Sequence, residues 1–161
     1  MTGAVTCAEL NIPAGTIDNA AVKVGAAIAA AKLIHQFPVR YAQADGSNIV
    51  AAIVPIHTVQ GANATILSVQ AMIVDAPNGG DQEITVDLQK SNVGTPTPAT
   101  VLTAAIVMND ADTGDCEVEE AAIASAALVA GDTLLAVVSV TGSTGHGQGL
   151  LVTVMIQEES A

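Results

Sequence analysis

The strongest constraint on the fold of this chain is a series of short runs in which apolar and polar residues alternate. In the run ITVDL, for example, Ile84, Val86 and Leu88 alternate with polar residues, the pattern of a strand with one buried face. Clusters of turn-forming residues such as APNGGD and NDADTGD separate the runs. We predict eight strands, approximately at Phe37–Gln43, Asn48–Val59, Ala64–Asp75, Gln82–Lys90, Thr100–Met108, Cys116–Ala121, Thr133–Thr141 and Gly149–Gln157. This number and spacing of strands predicts an all-β fold, a jelly-roll-like β-sandwich.

Three local features modify this prediction. Pro55 lies inside the second predicted strand, which indicates an edge strand or a β-bulge at that position. The runs LLAVVSV and LLVTVMI are almost continuously apolar, so we expect both of their faces to be covered. The alanine-rich segment AAIASAALVAGD, residues 121–132, does not follow the alternating pattern of the predicted strands. We expect it to form one or two helical turns within a loop that crosses between the sheets.

The N-terminal residues differ from the rest in composition, and the stretch from Gly15 to Leu33 is mostly Ala, Val, Ile and Gly. A secretory signal begins with basic residues, and the first eleven residues contain none. A transmembrane helix needs roughly twenty uninterrupted apolar residues, whereas Asp18, Asn19 and Lys23 interrupt this stretch. We therefore predict an N-terminal arm at residues 1–34, a sandwich body at residues 35–161 and synthesis in the cytoplasm.

The apolar residues of the arm do not form a stripe wide enough for an independent helix, and Gly25 lies in their middle. Two alternatives remain open. The arm is either a helix packed on the body or an extended or partly helical segment that lies along another subunit. In the second case, the residues that would dock against the other subunit are Ile17, Val22, Lys23, Val24, Ile28, Lys32, Leu33 and Arg40.

The charge of the chain limits its partners. The chain has sixteen acidic residues and only four lysine or arginine residues, which gives a net charge of −12. Fourteen of the acids lie after residue 43, where Lys90 is the only lysine or arginine. Nucleic acids and anionic membrane surfaces both attract basic proteins, so neither is an expected partner. One Phe and one Tyr leave an aliphatic core, which favours oligomerisation as an additional source of stability.

No residue pattern typical of a catalytic or metal site is present. Asp110, Asp112 and Asp115 resemble the start of a calcium loop, but the glycine falls one position too early, which favours a solvated acidic turn. The histidines are His35, His57 and His146. They lie too far apart for the local spacing of zinc ligands, and structural roles are favoured. Cys7 and Cys116 have no metal or redox spacing and are expected to be free thiols. We predict no enzymatic activity, no cofactor and no metal.

Two segments resemble known proteins. The stretch IPAGTIDNAAVKVGAAIAAAKL resembles a segment that recurs in fibre and appendage proteins of tailed bacteriophages, where it commonly precedes a β-rich trimeric module. The matching residues are Ile17, Asp18, Asn19, Val22, Ala26, Ala27, Ile28, Ala29, Lys32 and Leu33. The stretch LVAGDTLLAVVSV, residues 128–140, resembles a core strand of trimeric jelly rolls of the tumour-necrosis-factor and complement type, in which a Gly-Asp turn leads into the strand.

The resemblance implies a structural virion protein with a jelly-roll-like, homotrimeric body. The chain is short, almost free of aromatic residues and without repeats, unlike long receptor-binding fibres. This difference favours a head decoration (cement) protein, bound non-covalently to the major capsid protein on the outer surface of the capsid. The main alternative is a short fibre or adhesion module that binds a host glycan, for example through the turn TGSTGHGQG. A small hydrolase on a jelly-roll fold would require distant strands to bring the histidines together.

Overall fold

The computed structural model describes residues 34–78, 81–92, 94, 97–109, 111, 113–142 and 146–159. Within these residues the chain forms ten β-strands and no helix. The strands are β1 (Ile34–Ala42), β2 (Ala52–Thr58), β3 (Asn63–Asp75), β4 (Glu83–Ser91), β5 (Ala99–Thr100), β6 (Ile106–Asn109), β7 (Val118–Glu120), β8 (Ala127–Val129), β9 (Thr133–Thr141) and β10 (Gln148–Glu159).

The strands form two five-stranded antiparallel sheets. Sheet A has the order β1-β10-β3-β7, and β8 also pairs with β3. Sheet B has the order β2-β9-β4-β5, and β6 also pairs with β4. Because β5 and β6 share one position in their sheet, as do β7 and β8, the ten strands fill the eight positions of a jelly roll. The all-β, jelly-roll-like sandwich predicted from the sequence is confirmed.

The inner faces of the two sheets pack against each other and form an aliphatic core. Ile84, Val86 and Leu88 of β4 point inward and are almost completely buried, as their alternation in the sequence predicts. Val152 and Val154 of β10 face them from sheet A. Burying each such side chain contributes about 1.5–3 kcal/mol, so the stability of the sandwich depends on many small contacts rather than on a few large aromatic ones.

The prediction of helical turns at residues 121–132 is wrong. Ala127–Val129 form β8, which pairs with β3, and Ile123 forms an isolated β-bridge with Leu102. The backbone N–H groups of Ala124 and Ser125 both donate hydrogen bonds to the carbonyl oxygen of Val101. These tertiary partners satisfy the backbone in an extended conformation, and they outweigh the weak intrinsic preference of alanine for helix.

The predicted strand at Thr100–Met108 is divided in two. β5 ends at Thr100 and β6 begins at Ile106, while Val101 and Leu102 between them are buried. The bridge from Leu102 to Ile123 connects the edges of the two sheets on this side of the sandwich. The chain therefore leaves sheet B for a short distance in order to close the core.

The two strands at the opposite side of the sandwich each contain a proline. β2 is the edge strand of sheet B, and its pairing register shifts between Pro55 and His57, so the predicted edge position and the predicted bulge both occur. β1 is the edge strand of sheet A and contains Pro38. On β9 and β10, the expectation that both faces are covered is wrong for the described chain. The outward-facing residues are only half-buried, and these are Leu135, Val137, Leu151 and Met155.

Gly61, in the turn between β2 and β3, is buried, and a Cβ atom on it would overlap the backbone carbonyl oxygen of Glu159. We expect Gly61→Ala to lower the free energy of unfolding by about 1–3 kcal/mol, because backbone atoms must move to admit the methyl group. Gly114→Ala is the matched control, since its nearest neighbour is the movable carboxylate of Glu117 at 3.3 Å. Urea unfolding measures both, and equal losses would contradict the prediction.

Candidate functional site

The body has two chemically different ends. The chain enters the first strand at Ile34, which pairs with Glu159 near the end of β10. The turns at residues 59–62 and 130–132 lie at this same end, which we call the arm-junction end. It contains two buried carboxylates, those of Asp132 and Glu158. The residues predicted to form the arm therefore precede β1 at the end where charge is buried.

Glu158 connects the two sheets at the arm-junction end. Its Oε2 atom lies 3.0 Å from Nε2 of His57, which is on β2 in the opposite sheet. Its Oε1 atom accepts hydrogen bonds from the backbone N–H groups of Gln60, at 2.7 Å, and of Gly61. The ring of Phe37 on β1 packs edge-on against the His57 ring, with 5.5 Å between ring centroids. One carboxylate thus joins β10, β2 and the β2–β3 turn.

The environment of Glu158 lowers the pKa of its carboxyl group. Burial acts to raise this pKa, because the charged form loses hydration. The hydrogen bonds from Gly61, Gln60 and His57 favour the charged form and together outweigh burial. The folded state therefore holds Glu158 as a carboxylate.

A second buried carboxylate stabilises the β8–β9 turn. Asp132 is 2% exposed, and its Oδ2 atom accepts a hydrogen bond of 3.0 Å from the backbone N–H of Val129. Nζ of Lys90 lies 3.8 Å from the same oxygen and donates a hydrogen bond of 3.3 Å to the carbonyl oxygen of Ala127. Gly131 has a φ of +84°, which a glycine adopts without strain. The Gly-Asp turn noted in the sequence is thus a structural element.

The opposite end of the sandwich, which we call the acidic end, consists of the β1–β2, β3–β4, β6–β7 and β9–β10 loops. Their described residues and the adjoining strand ends contain no lysine or arginine. The acids there are Asp45, Asp75, Asp81, Glu83, Asp115 and Glu117. Nine residues of β1 separate the two ends by about 30 Å. Charge is therefore distributed unevenly along the strand direction.

The acidic end is held together by turn contacts. Oδ1 of Asp115 accepts a hydrogen bond of 2.8 Å from the backbone N–H of Ala76, and Oε2 of Glu117 accepts one of 2.8 Å from Gly114. Asp110 and Asp112, considered above with Asp115 as a calcium loop, lie outside the described residues. Among the residues that the structure describes, no group of three or more His, Cys, Asp or Glu side chains could hold a metal ion.

The outer face of sheet A, which is the side away from the core, carries a row of apolar residues in register. One row across its four strands consists of Ala42, Leu151, Met72 and Val118. Leu151, Met72 and Val118 line a shallow depression together with Gln70 and Thr153. Within the described residues no segment covers this face, whereas the inner face is covered by sheet B.

The structure describes only one of the predicted docking residues. Arg40 lies in the middle of β1 and is exposed, so it belongs to the sandwich body and not to the arm. The other predicted docking residues lie outside the described residues, and these are Ile17, Val22, Lys23, Val24, Ile28, Lys32 and Leu33.

The three histidines do not form a common site. His57 contacts Glu158 at the arm-junction end, His35 is exposed on β1, and His146 lies at the acidic end. Sequence reasoning missed Glu158 as the partner of His57. The available signal was its position, because Glu158 continues the inward-facing series of Val154 and Ile156 on β10.

Two further sequence expectations concern thiols and membranes. Cys116 is exposed and is not in a disulfide, while Cys7 lies outside the described residues. In the described part of the chain, no helix has the length and apolar character needed to cross a bilayer.

Comparison with known proteins gives a likeness of fold alone. No protein-family model and no curated protein sequence matches the chain. A chain of the capsid of Ralstonia phage GP4 is similar in structure, with 16% identity, 81% of this chain and 87% of that chain covered, and a TM-score of 0.52. A chain of the acid-stable capsid of Helicobacter pylori bacteriophage KHP30 matches more weakly, with 11% identity, coverage of 80% and 95%, and a TM-score of 0.46. The sandwich therefore shares its fold with a chain of a phage capsid.

The lowered pKa of Glu158 predicts a pH-dependent stability. The stabilisation from its charged form is complete above the ordinary carboxyl pKa of 4.5 and is lost as the pH falls through the lowered folded value. We expect Glu158→Gln to lower the free energy of unfolding by about 1–3 kcal/mol at pH 7. The difference from the unsubstituted chain should shrink below about pH 4, where protonation of Glu158 removes the charge that the variant already lacks.

Urea unfolding at pH 7 and pH 3 measures this difference. Glu159→Gln is the matched control, because the neighbouring Glu159 is exposed, and its effect should stay within about 0.5 kcal/mol at both pH values. A deficit of Glu158→Gln that is as large at pH 3 as at pH 7 would show that the charge of Glu158 is not the cause.

Proposed function

We propose that this chain is a structural virion protein that decorates a phage capsid and stabilises it by non-covalent binding to the major capsid protein. The shared fold with a chain of the capsid of Ralstonia phage GP4 supports this proposal. The phage-like segment in the arm supports it independently, because that resemblance comes from residues outside the sandwich. The body supplies a compact unit, and the arm supplies the attachment.

The observation that carries the proposal is the chemical difference between the two ends of the body. The arm joins at one end, and the acidic loops lie about 30 Å away at the other. With the arm-junction end against the shell, the acidic end faces solvent on the outer surface of the virion. The loops there present carboxylates without compensating lysine or arginine among the described residues, so neighbouring copies repel one another at their tips.

The arm is the proposed docking element. Its apolar residues Ile17, Val22, Val24, Ile28 and Leu33 would be buried against shell subunits or a sister chain, while Lys23 and Lys32 would meet carboxylates there. Arg40 lies on the body and would contribute from the sandwich face. A homotrimer carries three arms, and three weak attachments to a symmetric lattice gain strength through their high effective concentration.

The adhesion alternative receives no support from the aromatic residues. Glycan-binding sites commonly stack sugar rings on exposed aromatic side chains. The chain has one Phe and one Tyr, and both lie on β1. Phe37 packs against His57, and the hydroxyl oxygen of Tyr41 accepts a hydrogen bond of 3.0 Å from the side chain of Gln43. Neither ring is positioned in a loop.

Deletion of residues 1–33 tests the attachment. β1 is preserved in this variant, so we expect a folded body that no longer binds capsids assembled without the chain. The loss should be at least about 100-fold in apparent affinity, because all arms of a trimer are removed together. Deletion of residues 1–10 is the control, since it keeps Ile17–Leu33. Co-sedimentation with capsids measures binding, and undiminished binding of the shorter body would refute the arm as the docking element.

The copy number in purified virions separates decoration from the fibre alternative. We expect a fixed, lattice-wide ratio of this chain to the major capsid protein, measured by quantitative mass spectrometry. A handful of copies per particle would instead indicate a tail or fibre component, and absence from particles would remove the virion assignment.

A further inference from the structure

On the outer face of sheet A, one row of residues that runs across the four strands is apolar. The neighbouring row has a charged residue at each of its two ends. The apolar row pairs Ala42 with Leu151, Leu151 with Met72, and Met72 with Val118. Val118 is 54% exposed, and no part of the described chain covers this row. Packing of a second apolar surface against this row would be favourable, because it would remove apolar side chains from water.

The neighbouring row carries opposite charges at its two lateral edges. Register pairs Arg40 with Thr153, Thr153 with Gln70, and Gln70 with Glu120. Arg40 on β1 and Glu120 on β7 therefore lie at the same height along the strands, separated by three strand spacings, or about 14 Å.

Both charged groups are available to a partner. Arg40 is exposed, and within the described residues no carboxylate lies within ion-pair distance of it. Glu120 is exposed and accepts one hydrogen bond of 2.9 Å, from the side chain of Gln70. An ionised carboxylate has acceptor sites left after one such bond.

Symmetry decides how these charges meet between copies. A rotation axis parallel to the strands leaves the height of every residue unchanged. In a closed ring, it brings one lateral edge of a copy to the opposite edge of the next copy. Arg40 of one copy then meets Glu120 of its neighbour at every interface of the ring. A two-fold axis running across the strands at the level of this row would instead oppose Arg40 with Arg40.

We propose that the outer face of sheet A is the interface between copies of this chain, arranged around an axis parallel to the strands. Arg40 of one copy pairs with Glu120 of the next, and the row containing Leu151 and Met72 forms the apolar centre. This inference rests on the homotrimer of the proposed function and names the surface that forms it. The charges at the edges set the register, while the apolar row supplies the buried area.

The outer face of sheet B lacks this complementarity. Its outward charged residues on β4 are Glu83 and Asp87, both acidic, and they face no lysine or arginine in the described part of that face. Two copies packed through sheet B would bring like charges together. Opposite charges at matched heights are a property of sheet A.

The test is the oligomeric state of the full-length chain, measured by sedimentation equilibrium in the absence of capsids. We expect Arg40→Glu and Glu120→Arg each to raise the dissociation constant at least roughly tenfold, because each places like charges in contact. The double variant Arg40→Glu/Glu120→Arg restores the opposite pairing and should return to within about threefold of the unsubstituted chain.

Met72→Arg should abolish association by placing a charge in the apolar row, and Val118→Arg provides a second such variant at a more exposed position. Val107→Arg is the matched control, since Val107 is 44% exposed on the outer face of sheet B, and this variant should associate normally. Circular dichroism and thermal unfolding verify that each variant is folded.

Three results would overturn the inference: a monomeric full-length chain, single charge variants that associate normally, or a control at Val107 as disruptive as the variants in the apolar row. Because the measurement needs no capsid, such a result would leave the arm-dependent attachment to be judged by its own deletion experiment.

Discussion

The aliphatic contact between the two inner sheet faces is the interaction on which the rest of the structure depends. Side chains such as Ile84 and Leu88 bury little area each, so the core holds only if both sheets contribute complete inner faces. This requirement explains why short strands such as β8 pair with β3, and why the Leu102–Ile123 bridge closes the open side. The outer faces of the sheets and the loops at the acidic end take no part in this core.

The sequence predicted the sheets well where one physical signal dominated. The alternation of Ile84, Val86 and Leu88 reports burial directly, and β9 was predicted with the observed limits, Thr133–Thr141. The prediction failed at residues 121–132, where the conformation is set by hydrogen bonds to distant partners such as Val101. Local composition contains no information about such partners, so alanine content alone pointed to the wrong structure.

The polar contacts, too, were predictable only where they depend on local sequence. His57 was identified in the sequence, but its partner Glu158 lies 101 residues away on the other sheet. Only the topology brings them together, although the inward position of Glu158 on β10 was a usable signal. The position of Arg40 and Glu120 in one row likewise follows only from the register of four strands, because no spacing in the sequence relates β1 to β7.

The prolines of the two edge strands have a consequence for crowded surfaces. An exposed strand edge offers unpaired N–H and C=O groups that recruit strands from neighbouring molecules, and the risk grows with local concentration. Pro38 on β1 and Pro55 on β2 each remove one donor from an edge, and the bulge next to Pro55 bends the second edge out of register. The β1 and β2 edges are therefore poor templates for strand pairing between molecules. On this side of the sandwich, a contact with another molecule would therefore depend on side chains rather than on a backbone ladder.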